Sequence, residues 1–134
     1  METLGIFAGI FGAFIALITY YKTFYSKPSF DEERTNMLGM FKANQFICLE
    51  IQNLMQKYID EKNGANHEFT TGITFQEYLE KFKSECENGL SNTLFEDLKN
   101  NKSYTKSNIE TFLKGLEHQN NTFISLKGYV LLKI

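Results

Sequence analysis

The stretch FDEERTNMLGMFKANQFICLEIQNLMQKYIDEK, residues 30–62, sets the architecture of the second and larger part of this chain. Met37, Phe41, Ile47 or Cys48, Ile51, Met55 and Tyr58 recur at steps of three and four, with Met40, Leu54 and Ile59 widening the stripe. That spacing gathers apolar groups on one face of an α-helix. Ser29 or Asp31 is placed to cap its start, with Glu32 and Glu33 in the first turn, where carboxylates complement the helix dipole. Asn63-Gly64 is a stop signal. Unbroken, such a helix is roughly 50 Å long at about 1.5 Å per residue, and Gly39 is where it can bend.

Upstream lies METLGIFAGIFGAFIALITYY, residues 1–21, with no charge from residue 3 onward. A bilayer core needs about 20 apolar residues in a helix. A cleaved signal peptide wants a basic start and small residues at a cleavage site. Met1, Glu2 and Thr3 hold no base, and the run ends in bulky groups, so the reading is an uncleaved signal-anchor. Tyr20, Tyr21 and Tyr25 suit the headgroup belt. Lys22 and Lys27 follow the span, which predicts a single pass through the cell inner membrane, N-terminus outside and residues 28–134 in the cytoplasm. Gly5, Gly9 and Ala13 stand at steps of four, as do Ala8, Gly12 and Ala16. Small residues in such rows let membrane helices approach closely. The expected packing residues are therefore Gly5, Gly9, Gly12 and Ala16, and the expected partners are the lipid bilayer and a second copy or another membrane protein.

Downstream of the first helix the polar residues 63–72 read as a connection. Thr74 and Glu77 form a capping-box pattern ahead of Tyr78, Leu79, Phe82 and Cys86, ending near Asn88-Gly89. Asn92 can cap a short helix carrying Leu94, Phe95 and Leu98. Ser107 and Glu110 make a second capping box before Ile109, Phe112, Leu113 and Leu116, with Asn120, Asn121 and Thr122 as an interruption. The last apolar stretch, from Phe123 to Ile134, reads as helix, with a terminal strand from Gly128 as the alternative. The expected fold is all-α: a transmembrane anchor over residues 1–27 and a domain of about four helices over 28–134.

Charge is uneven within that domain. Residues 76–98 hold six acids and two lysines, whereas residues 99–134 hold six lysines and two glutamates. Complementarity between packed helices is the expected reason, with a basic C-terminal face toward anionic lipid or nucleic acid as the alternative. Four excess charges over such a length make no compact patch, and aromatic groups do not interleave with the lysines, so no nucleic acid is expected. Cys48 and Cys86 sit in apolar helical patterns and read as two reduced core thiols, with a disulfide as the alternative.

Catalytic chemistry is poorly supplied. His67 and His118 lack close ligand spacing, and H-x-x-x-H and C-x-x-C arrangements are absent from the sequence. No G-x-S-x-G elbow or glycine-rich phosphate loop occurs. Asp31, Asp60 and Asp97 are the only aspartates. Glu50 stands among large apolar groups, with Asn44 or Asn53 as possible polar neighbours. The expectation is a non-enzymatic protein with no metal and no cofactor.

One family resemblance rests on residues 40–83. Phe41 and Phe46 on an aromatic-rich helix are followed, after a connection, by Thr71-Gly72-Ile73-Thr74-Phe75. This resembles the start of bacterial abortive-infection C-type membrane proteins, where a Gly-Arg-x-x-Phe-like element follows the first helix. Gly72 and Phe75 match that element, and Ile73 replaces the Arg. The tail Tyr129-Val130-Leu131-Leu132-Lys133-Ile134 is faintly similar to that family's ending, without the basic and aromatic element before it. The resemblance implies a membrane effector or subunit in phage defence, and supplies no catalytic residue. Three classes of function follow: a membrane-anchored helical protein acting through protein–protein interaction or assembly, a phage-defence effector, and an enzyme with a diffuse site.

Overall fold

The computed structural model describes residues 30–134. Helix α1 spans Asp31–Lys62 without a break at Gly39. Phe30 stands at its N-cap position, so Asp31 is a first-turn acid and not the cap, and Ser29 lies outside the described residues. Asn63 ends the helix in the left-handed conformation, where its N–H donates to the Ile59 carbonyl. Asparagine tolerates that conformation better than most residues.

The segment read as a plain connection contains a small hairpin. Strand β1, Glu68–Thr70, pairs antiparallel with β2, Ile73–Thr74, in the register Glu68 to Thr74 and Thr70 to Ile73, with a bulge between. Gly72 turns the chain at φ 79, a conformation that suits glycine. The hairpin also buries Phe69, against Phe75, Tyr78 and Tyr129. It leads straight into α2, Phe75–Gly89, whose start is capped by the Thr74 side chain accepting from the Glu77 N–H. The residues that carry the family resemblance thus form a turn, a strand and a helix start.

Helix α3, Asn92–Asn100, is capped by Ser91, one residue earlier than read from the sequence. Helix α4, Lys106–Lys133, is capped two residues earlier than expected, by a reciprocal box between Thr105 and Asn108. It runs unbroken through Asn120, Asn121 and Thr122, so the terminal-strand alternative is gone.

These elements form three legs. Tyr58 stacks on Phe75, Cys48 meets Cys86, Phe41 meets Phe95 and Arg34 donates to the Leu98 carbonyl. Numbers fall along α1 as they rise along α2 and α3, so these two helices together make one antiparallel return. Helix α4 then runs parallel to α1, with Lys106 beside Glu33, Leu116 beside Asn44 and Lys127 beside Glu50. The core fills the space between the legs. Phe41, Ile51, Met55, Leu79, Phe82, Phe112, Leu116 and Phe123 are all buried. Edge-to-face contacts such as Phe82 on Phe123 at 5.9 Å suit the ring quadrupoles.

Gly64 serves close approach. The Tyr58 ring is held by its stack on Phe75, centroids 4.3 Å apart, and by a hydroxyl hydrogen bond to His67 Nδ1 at 2.7 Å. A Cβ on Gly64 would stand 2.8 Å from Tyr58 Cδ1 and closer still to Cε1. Gly64→Ala is therefore expected to lower stability by about 1–3 kcal/mol, the usual cost of overpacking. Urea unfolding checks this, and a change within about 0.5 kcal/mol would mean that the ring swings aside.

The membrane reading needs correction. No helix among the described residues is long and apolar enough to cross a membrane. The two long helices have the length but carry charges along it: Lys42, Glu50 and Lys57 on α1, Lys114, Glu117 and Lys127 on α4. The expected span, with Gly5, Gly9, Gly12 and Ala16, lies outside the described residues. The transmembrane fold class, the signal-anchor, the single-pass inner-membrane topology with its cytoplasmic domain, and the lipid bilayer as a partner are therefore unsupported. A small helical domain with a minor hairpin replaces them.

Candidate functional site

Several recesses border α1 among the described residues. The first is a groove between α1 and α4 of about 360 Å³, lined by Glu50, Asn53, Leu54, Lys57, Lys127 and Leu131. Both walls come from unbroken parallel helices. They are held in register by a buried polar cluster: Asn44 Nδ2 donates to the Leu116 carbonyl and to Gln119 Oε1, and Asn120 Nδ2 donates back to Asn44 Oδ1. Lys127 meets Glu50 at 3.1 Å over the groove. Glu50 thus finds its partner on another helix, not in Asn44 or Asn53. Lysines of α4 reach glutamates of α1, and Lys106 meets Glu33 at 3.5 Å. These pairs are partly exposed, so each contributes little stability.

Apolar side chains stand outside the core on these two helices. Phe46, Leu49, Ile124 and Leu131 leave 65%, 54%, 54% and 52% of their surface in solvent. Phe46 and Leu49 are three residues apart on the outward side of α1. Ile124 and Leu131 are two turns apart on α4, on the side that flanks α1. Leu132 and Ile134 extend the exposed apolar surface at the C-terminal end.

The second recess, about 380 Å³, opens where α2 gives way to α3. Gln45 of α1 spans that break, donating to the Leu90 carbonyl at 2.7 Å and to Asn92 Oδ1 at 3.2 Å. Cys48 and Cys86 lie among its lining residues, both as free, buried thiols. Cys86 Sγ donates to Cys48 Sγ at 2.8 Å. Burial, reinforced by that bond, pushes the Cys48 thiol pKa far up, which keeps it protonated.

Other titratable groups support the frame. Burial also raises Tyr104, whose hydroxyl donates to Asp97 Oδ2 at 2.6 Å. Burial lowers Arg34, against the opposing pull of Tyr104, Asp31 and Asp97. Tyr78 is raised by burial, and its hydroxyl has no hydrogen-bond partner among the described residues. No group of three or more His, Cys, Asp or Glu side chains that could hold a metal occurs among the described residues. His67 is engaged with Tyr58 and distant in sequence from both cysteines.

None of the expected site residues falls within the description, since Gly5, Gly9, Gly12 and Ala16 all precede Phe30. The groove and the dithiol cleft were missed in the sequence. A usable signal existed: Phe46 and Leu49 are apolar yet fall off the stripe of α1, as Ile124 and Leu131 do on α4, and of these Leu131 lines the groove and Leu49 the cleft.

Fold and recesses define a small helical domain built on a parallel pair of long helices. No protein family, curated protein or solved structure matches the chain.

Proposed function

We propose that this domain is a protein-binding module that receives an amphipathic helix of a partner protein in the groove between α1 and α4, and that it acts by binding and not by catalysis. The observation that carries the reading is the exposed apolar set Phe46, Ile124 and Leu131 along two rigid parallel helices. Apolar groups grouped on a surface mark interaction sites more often than scattered ones do. A helix laid in a groove is a recurring mode of recognition, with anchors at helical spacing. Leu54 and Leu131 give the groove apolar walls, while Lys57, Lys127 and Glu50 give it a charged rim. The rim favours a partner helix with acidic residues beside its apolar stripe.

A photoreactive side chain placed at Phe46 or Leu131 of the full chain in cells tests this, with Glu85 on α2 as the comparison site. Discrete adducts with another protein are expected from Phe46 and Leu131 only. Ile124→Glu should reduce their yield about tenfold or more, the effect of losing one apolar anchor. Equal adducts from Glu85, or adducts with a second copy of this chain only, would overturn the reading.

A further inference from the structure

We propose that Cys48 and Cys86 are a redox-convertible pair, closed to an intramolecular disulfide by a small-molecule disulfide that enters the cleft between α1 and the α2–α3 break. The two sulfurs come from different elements, 38 residues apart in sequence, and already face each other at 2.8 Å. A disulfide needs about 2.05 Å, so closure requires only about 0.8 Å of sulfur movement. Both side chains line the same recess, whose volume of about 380 Å³ gives an attacking or leaving thiol a place to sit. No metal cluster occurs among the described residues, and the Cys86 thiol gives its hydrogen bond to Cys48.

Cys86 is the more exposed of the two and attacks first. Its sulfur, having lost its proton to solvent, bonds to one sulfur of the incoming disulfide. That S–S bond breaks, and one small thiolate leaves and takes up a proton. Cys48 then attacks the Cys86 sulfur of the mixed disulfide, passing its proton to the small thiolate that departs. The Cys48–Cys86 bond forms and the second small thiol departs. Two protein thiols are oxidised and the small disulfide is reduced to two thiols. Among the described residues no cationic side chain lines the recess, where Glu87 is the charged neighbour, so no positive charge there assists the exchange and it is slow.

The test uses the full chain, incubated under native conditions with oxidised glutathione. The expected result is loss of both titratable thiols, an intact mass lower by two hydrogens with no glutathione retained, and a peptide map joining Cys48 to Cys86. The melting midpoint should rise by about 10 °C and fall back on reduction. Cys48→Ser and Cys86→Ser should each abolish both the cross-link and the rise. Persistence of both free thiols, stable glutathione adducts on both, or a cross-link that forms only after denaturant has unfolded the chain would overturn the proposal.

Discussion

Phe82→Ala is expected to cost about 3–5 kcal/mol, the range for removing a buried aromatic ring from a core. Phe82 keeps only 2% of its surface exposed and packs between Tyr78 on its own helix and Phe123 on α4. Both neighbours belong to rigid helices, so the cavity left behind closes poorly. A domain of this size has about 5–15 kcal/mol of stability in total, which makes the loss a large fraction of it. Urea unfolding of the chain and the variant should show a lower midpoint with an unchanged slope. Phe46→Ala supplies the contrast. Its ring is mostly in solvent, and its removal should shift stability by no more than about 0.5 kcal/mol. Similar costs at both positions would refute the assignment of core and surface.

Asn44→Leu is the second large effect. Asn44 is fully buried, and its amide serves three groups: the Leu116 carbonyl, Gln119 Oε1 and Asn120 Nδ2. Leucine serves none of them. Gln119 Nε2 already lacks a partner among the described residues, so the substitution strips that side chain of its bond to α1 as well. Stranding buried polar groups costs about 1–3 kcal/mol each, which puts the expected loss at roughly 2–4 kcal/mol. Asn44→Leu combined with Gln119→Leu should recover at least about 1 kcal/mol of the summed single costs, because two apolar groups then face each other. Strict additivity in that cycle would show that the two side chains do not depend on one another.

The helical legs were legible because burial imposes periodicity. Phe41, Ile51, Met55, Leu79, Phe82, Phe112 and Leu116 stand on stripes and all lie in the core. The caps were less legible, since Ser, Thr and Asn crowd the connections. Ser91 and Thr105 win over Asn92 and Ser107, and only the backbone path decides between neighbours of equal chemistry. Asn120 was misread as a helix breaker. In α4 its side chain turns to Asn44. The pattern held a clue: Asn44 and Gln119 each occupy a stripe position where an apolar residue is expected, and two such exceptions on different helices can satisfy one another. The hairpin escaped notice because three- and two-residue strands carry too little alternation to read. Spacing alone does not settle whether the two cysteines meet, since which leg returns beside α1 is a property of topology. The membrane reading leaned on residues 1–21, and the described helices give it no support.

The parallel pairing of α1 and α4 also sets a timetable. Two parallel helices cannot be joined by a short turn, and here the chain must travel through the hairpin, α2 and α3 before it can lay α4 alongside α1. The contacts that seat α4 join residues 72 to 77 positions apart. Non-local contacts of that kind form late, because loop closure precedes any reward. During synthesis the oily side of α1 is half dressed by α2 and α3 and stays open until α4 has left the ribosome. For that interval the nascent chain offers other proteins a helix face that the finished fold conceals.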